Sequence, residues 1–284
     1  PGPRPGAPAR SVPDERLLVK TPYTAGPDIH VLPSALPIPG LGDQPVNAFL
    51  VRSGQPLLVD TGMPVDREGF LDSLWSLIDP ADLRWVVVTH DDRDHTGALA
   101  RILEAAPHAK VLANAISLTR ISEEFSIPQE RVVTANPGSR VKVGDRELSF
   151  HRPPTFDSPG TLAVFDHSDG TLYSSDSFGT VVEEIRQDFT DLSEEEFFHG
   201  FEVLNRAIAP WTALVDEAKF LRPVHELAAL RPARLLSAHG PTVEEAAVPR
   251  LFDAMARIPS LPAWLPDADL DLEAALDAHE STAG

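Results

Sequence analysis

The 284-residue sequence contains no cysteine, which excludes disulfides, thiolate nucleophiles, iron–sulfur clusters and thiolate zinc sites. Any metal must therefore rest on His, Asp and Glu. Lysine is scarce: it occurs only at positions 20, 110, 142 and 219, and arginine supplies the remaining positive charge. Against 43 Asp and Glu this leaves a formal net charge of -19, with no basic stripe along the chain. Nucleic acid is thus not an expected partner, since counterion release needs clustered Lys and Arg. No apolar run reaches membrane-spanning length, and no charged-then-apolar leader is visible, so the sequence reads as soluble and cytoplasmic, without a membrane partner. With 42% hydrophobic residues, the chain can build one large core or at most two modest domains.

What is present concentrates in one stretch, Arg84-Trp85-Val86-Val87-Val88-Thr89-His90-Asp91-Asp92-Arg93-Asp94-His95-Thr96-Gly97. It opens as a strand buried on both faces and turns abruptly into two histidines and three aspartates. A helix with Leu99, Ile102 and Leu103 on one side follows. Charged groups at the end of a buried strand cost desolvation energy unless something pairs them, and a cation is the usual partner. The alternative is a solvated turn whose aspartates favour a helix N-terminus.

Around this stretch the chain falls into two successive strand-and-helix halves. Residues 1–27, rich in Pro, Gly and Arg, read as a flexible N-terminal arm. Strands are expected at 29–32, 46–51 and 56–60, the last ending in Asp60-Thr61-Gly62, a turn able to bring a carboxylate near a neighbouring site. A helix over about 66–79 precedes the central strand, and a strand at 109–113 and a helix at 115–124 follow it. Short alternating segments from 130 to 176 read as an antiparallel meander beginning with Val132-Val133. A long apolar-periodic segment starts in the acidic cluster Asp188 to Glu196 and runs through Leu227. A strand at 234–237 ends in Ala238-His239-Gly240-Pro241, a helix spans 244–258, and 259–284 is an acidic C-terminal tail. The expected fold class is α/β, with residues 28–258 as one αβ/βα sandwich.

Asp157, Asp176 and His239 share with the His90–His95 loop a position at strand ends, where sites are commonly built. With the loop written His-x-x-x-Asp-His, the chain resembles the metallo-β-lactamase superfamily, with its four-layer αβ/βα fold. It resembles most the metallo-β-lactamase-type domain of flavodiiron and related oxygen-binding diiron proteins. Asn47, Asp60-Thr61-Gly62, Ile78-Asp79-Pro80, Ser175-Asp176-Ser177-Phe178-Gly179 and Ser237-Ala238-His239-Gly240 carry that likeness. Two positions depart from it. The hydrolase members place His, and flavodiiron proteins Glu, where this chain has Asp92. Nineteen residues before Asp176, where the family normally has His, stands Asp157. Carried over position by position, the resemblance implies one metal on His90, Asp92 and Asp157 and a second on Asp94, His95 and His239. Asp176 bridges them, and Asp94 and Asp176 are the carboxylates expected in catalysis. Asp157 could instead be a turn residue before Ser158-Pro159-Gly160, leaving a mononuclear centre or a distant substitute in His151, and Asp92 could pair with Arg93 or Arg84. Asp91 is expected to orient a ligand or face solvent. His30, His108, His167, His199 and His225 are expected to be packed or on the surface, with His199 able to line a pocket.

Four carboxylates on two divalent ions favour hard, oxygen-preferring metals, so iron is expected ahead of zinc, with manganese also suited. Such ligation makes a weaker Lewis acid and stabilises higher oxidation states, which favours redox chemistry over hydrolysis. The expected activity is an oxidase or oxygenase acting on dioxygen or a small-molecule substrate. A separate electron-donor protein, or the substrate itself, would supply the electrons. The alternatives are a metal-dependent hydrolase of an ester, thioester or lactone, and a non-catalytic sensor. A homodimer is the common symmetric outcome. Specificity is expected from loops around 34–45, 62–66 and 178–200.

Overall fold

Strands alternate with helices through the first half of the chain and pair mostly antiparallel in the second, and two sheets result. The structure, a computed structural model, describes residues 20–38 and 40–265. The first sheet has seven strands in sequence order: β1 (Tyr23–Thr24), β2 (Ile29–Ile38), β3 (Gly42–Val51), β4 (Leu57–Val59), β5 (Trp85–Val87), β6 (Lys110–Ala113) and β7 (Val132–Thr134). From β4 to β7 it is parallel, with crossover helices α1 (Arg67–Leu77), α2 (Arg93–Thr96), α3 (Leu99–Ala105) and α4 (Ala115–Ile121). The second sheet, in spatial order β13-β12-β11-β10-β9-β8, comprises β8 (Arg140–Val143), β9 (Arg146–His151), β10 (Ala163–Asp166), β11 (Thr171–Tyr173), β12 (Arg234–Leu236) and β13 (Thr242–Glu244). Its helices are α5 (Glu194–Ile208), α6 (Glu217–Ala229) and α7 (Val248–Arg257).

Four layers follow from where the apolar side chains go. Strand residues point alternately to the two faces. Leu58, Val86 and Val111 meet Phe70, Leu74 and Ile102 of the first helix layer, whereas Leu57, Val87 and Leu112 meet Phe150, Val164 and Tyr173 of the other sheet. The far face of the second sheet packs Phe165, Leu172 and Leu235 against Phe197, Phe220 and Leu251 of its helices. This is the αβ/βα sandwich expected from the sequence. No helix among the described residues is long and apolar enough to cross a membrane.

Several local expectations are corrected. Val132-Val133 do not open the meander: β7 pairs parallel with β6 at the edge of the first sheet. Alternation shows a strand but not the sheet it joins. The region 34–45 is not an open loop but most of a hairpin in which ten residue pairs run from Ile29↔Val51 to Ile38↔Gly42. Its prolines are tolerated because β1 pairs only with His30 and Val31, and the Lys20 N–H beyond it asks Pro33 for a carbonyl and not for a donor. The periodic segment to Leu227 is two helices divided by a 3-10 turn at Pro210–Leu214, where a proline removes a helical donor. The last helix begins at Val248, after β13, with a proline in its first turn. Within the segment read as an arm, Tyr23 pairs with Val31, and residues 1–19 lie outside the described residues. Within the tail, Leu261 and Trp264 pack on the second half, and residues 266–284 lie outside.

Candidate metal centre

All seven residues expected to hold metal converge at one edge of the two sheets. His90 lies three residues past the end of β5, and His95 one short turn later in α2. Asp92 occupies the N-cap position of that turn, yet its side chain does not cap the helix and remains free to face His90. The turn is pressed into place by Asp60-Thr61-Gly62. Thr61 N–H and Oγ1 both donate to the His95 carbonyl, and Gly97 N–H donates to the Gly62 carbonyl. A Cβ at Gly97 would lie 2.2 Å from the Met63 carbonyl carbon, so no larger residue fits there.

From the second sheet, Asp176 follows β11 in a loop where Ser175 (φ 57°) and Phe178 (φ 64°) are both left-handed. Such strain persists only where surroundings over-determine it. Here buried Asn205 on α5 accepts from Phe178 N–H and donates to the Gly179 carbonyl. The same side chain accepts from Thr155 Oγ1, two residues before Asp157, and so ties the two loops together. His239 follows β12, and Asn47 of β3 donates to the carbonyls of Ser237 and Gly240 on either side of it.

The groups form two clusters around one carboxylate. His90 Nε2 lies 3.7 Å from Asp92 Oδ2, 3.8 Å from Asp157 Oδ1 and 3.3 Å from Asp176 Oδ2. His95 Nε2 lies 3.6 Å from Asp94 Oδ2 and 2.9 Å from Asp176 Oδ1, and His239 Nε2 lies 3.5 Å and 3.3 Å from the same two atoms. Asp176 thus offers one oxygen to each cluster. His90, Asp92 and Asp157, and separately Asp94, His95 and His239, each present ligand atoms within 4.8 Å of one another.

The donor set suits cations. His95 Nδ1 is engaged by Asp60 Oδ2 at 2.9 Å, and His239 Nδ1 donates to the Pro45 carbonyl at 2.7 Å. Those bonds leave Nε2 as the lone-pair atom aimed into the site. The buried Nε2 atoms of His90 and His95 meet Asp176 oxygens at 3.3 and 2.9 Å but without well-aligned hydrogen-bond geometry, which a buried polar group rarely tolerates. Asp60 is itself left-handed (φ 61°) and accepts from Thr89 N–H and Oγ1, so its carboxylate has a fixed aim. Burial pulls His95 down, but Asp94, Asp60 and Asp176 outweigh it and hold the ring well above its ordinary value. Burial pushes Asp176 up, but the neighbouring His90 and His95 hold it well below the usual carboxylate range. Asp157 is pushed up to about 6 by burial and by Asp176. Closely packed groups that shift one another this strongly mark a candidate functional site.

The remaining candidates stand elsewhere. His151 hydrogen-bonds Ser149. His199 is exposed and borders a cleft of about 680 Å³ with Leu41 and Glu183. Asp91 turns away from solvent and hydrogen-bonds Ser117, Ser158 and Arg120. Nothing in the sequence points to the parts played by Asn205 and the Pro45 carbonyl.

Comparison with known proteins supports the fold. The profile of the metallo-beta-lactamase superfamily matches residues 41–239. A putative diflavin flavoprotein A 1 of Thermosynechococcus vestitus is 33% identical over 134 residues, covering 47% of this chain and 23% of that protein. An anaerobic nitric oxide reductase flavorubredoxin of Salmonella typhi is 27% identical over 134 residues, covering 47% and 28%. The chain therefore spans about a quarter of the length of these curated relatives. Among solved structures, rubredoxin oxygen:oxidoreductase of Desulfovibrio gigas superposes with a TM-score of 0.75 at 17% identity, covering 84% of this chain and 62% of that one. A flavoprotein of Thermotoga maritima superposes with a TM-score of 0.70 at 21% identity, covering 85% and 61%.

Proposed function

The chain belongs to the metallo-β-lactamase superfamily, and from that premise we propose a dinuclear metalloenzyme whose two ions are iron and whose chemistry is redox, of oxidase or oxygenase type. His90, Asp92 and Asp157 would hold one ion and Asp94, His95 and His239 the other, with Asp176 standing between the two groups. The supporting observation is the donor set itself: four carboxylates and three imidazoles around Asp176, with each Asp176 oxygen turned to a different histidine cluster. Its negative charge neutralises two divalent ions and favours hard, oxidisable metals over zinc. When bound, such ions supply electron transfer to a small oxidant. Dioxygen and nitric oxide, which appear in the names of similar proteins, are the candidate substrates.

The chain's own part is positional. Asp60 and the Pro45 carbonyl fix the tautomers and ring planes of His95 and His239. Asp176, with its side chain only 4% exposed, sets the spacing of the two positions, while Asp94, 25% exposed, stands toward solvent. We assign catalytic roles to these two. Buried Thr89 and Ser175 hydroxyls lie 3.4 and 3.2 Å from His90 Nδ1 and complete the polar floor. In this reading residues 28–258 are the metal-binding unit, a separate donor protein or the substrate supplies electrons, the protein acts in the cytoplasm, and it self-associates as a dimer.

Elemental analysis of protein from iron-supplemented cells, with its optical spectrum, tests this. Close to two irons per chain, a near-ultraviolet ligand-to-metal band and oxygen or nitric oxide consumption with a reductant are expected. Two zinc ions with turnover of chromogenic esters would replace the proposal with a hydrolase of an ester, thioester or lactone. Less than one metal of any kind would leave a degenerate centre.

A further inference from the structure

Among the seven proposed ligands, Asp92 and Asp157 are the most exposed, their side chains 41% and 37% open to solvent. Packing does not hold them. Their single-methylene stems are short, so the backbone carrying each must come close to the ion. Something must draw the loop after β5 and the loop after β9 together.

The residues next to these ligands do so. Asp91, with its side chain only 7% exposed, accepts from Ser117 Oγ at 2.9 Å and Ser158 Oγ at 3.2 Å on Oδ1. Its Oδ2 accepts from Arg120 Nη1 at 3.0 Å, and the same Nη1 donates to Ser158 Oγ at 3.3 Å. Asp91 precedes Asp92, and Ser158 follows Asp157. Ser117 and Arg120 both project from α4, which is capped by Asn114 and so has a fixed start. A second observation is independent of these bonds. A Cβ at Gly160 would lie 2.2 Å from Ser117 Oγ and 3.3 Å from Asp91 Oδ1, although Gly160 is not in the left-handed region. Glycine stands there for closeness rather than for conformation.

We propose that Asp91, Ser158, Ser117 and Arg120 form a clamp that sets metal occupancy at the His90/Asp92/Asp157 position alone. They are positioning residues, acting through the backbone of their neighbours. The histidines of the other position are held separately, by Asp60, Pro45 and Asn47. This inference rests on the two-ion reading above.

The test is titration of the chelator-stripped full chain with Co²⁺ as the probe, reading equivalents by dialysis and site geometry by the visible d–d bands. The wild type should take two equivalents. Asp91→Ala and Arg120→Ala should weaken one equivalent roughly 10–100-fold and leave the other unchanged, and Arg120→Lys should recover part of the loss. Arg120 is half exposed, so Arg120→Ala keeps the test decisive should Asp91→Ala fail to fold. Arg93→Ala, which removes an exposed pair with Glu124 on the same loop, should change neither equivalent. Two unchanged equivalents in Arg120→Ala, or equal weakening of both, would overturn the clamp while leaving the two-ion reading intact. A wild type that takes fewer than two equivalents would overturn that reading and the clamp with it.

Discussion

His95 and His239 are each gripped by hydrogen bonds from behind, through Asp60 at 2.9 Å and the Pro45 carbonyl at 2.7 Å, and both rings are buried. Asp92 and Asp157 have no such grip on their side chains and owe their places to the loops that bear them. One half of the centre is therefore set before any ion arrives, whereas the other is assembled from two loops that must stay in contact. Preorganised ligands lose little freedom on binding, so the buried half is expected to bind more tightly and exchange more slowly.

Four experiments break or sharpen that contrast. Asp176→Ala removes the only side chain common to both halves and should abolish tight binding at both, leaving less than one Co²⁺ per folded chain. Retention of two would remove Asp176 as a bridge. Asp157→Ala should empty the exposed half and spare the buried one, so that binding stops at one equivalent; loss of both would show that the halves are not separable. Asp60→Asn keeps size but gives up the charge behind His95. It should cost the buried half roughly tenfold in affinity and leave the exposed half alone, checked in the same titration. The smallest effect concerns pH. In the metal-stripped protein His95 and His239 are raised above their ordinary value, His95 by Asp94 and Asp60 and His239 chiefly by Asp176, in each case against burial. A raised histidine contributes stability that is complete below about pH 6.5 and lost as pH rises through its folded value. The melting temperature of stripped protein should therefore fall on the alkaline side of pH 6.5, by roughly 2–4 °C for each kcal/mol lost. A flat or rising profile would contradict the charge balance described for this half.

The same contrast governs how much the sequence revealed. His90 to His95 announce themselves because charge after Val86-Val87-Val88 violates the expectation for a buried strand end. Asp157 is legible only through its spacing from Asp176, since nothing in Asp157-Ser158-Pro159-Gly160 distinguishes a ligand from a turn. The grip on His239 is invisible: a backbone carbonyl, here that of Pro45, carries no residue-type signal. Asn205 is equally hidden, because an amide within an amphipathic helix reads as surface until its burial is known. The four layers were legible from apolar runs and punctuation, but prolines at 33, 37 and 45 disguised the long hairpin as a loop. Edge position, which reconciles proline with a strand, is a property of pairing and not of the residue.

That hairpin carries a consequence for the order of events in time. Asn47 and Pro45, near the start of the chain, hold His239, nearly two hundred residues later. Asp43 of the same hairpin pairs reciprocally with Val182 in the loop after β11. Contacts so distant in sequence close late, after both halves have formed their local structure. As the chain emerges from synthesis, the first half can fold around its helices while the centre still lacks its last histidine. Acquisition of cobalt colour during refolding should therefore lag behind the recovery of helical circular dichroism, making the metal a witness to completion and not a seed for it.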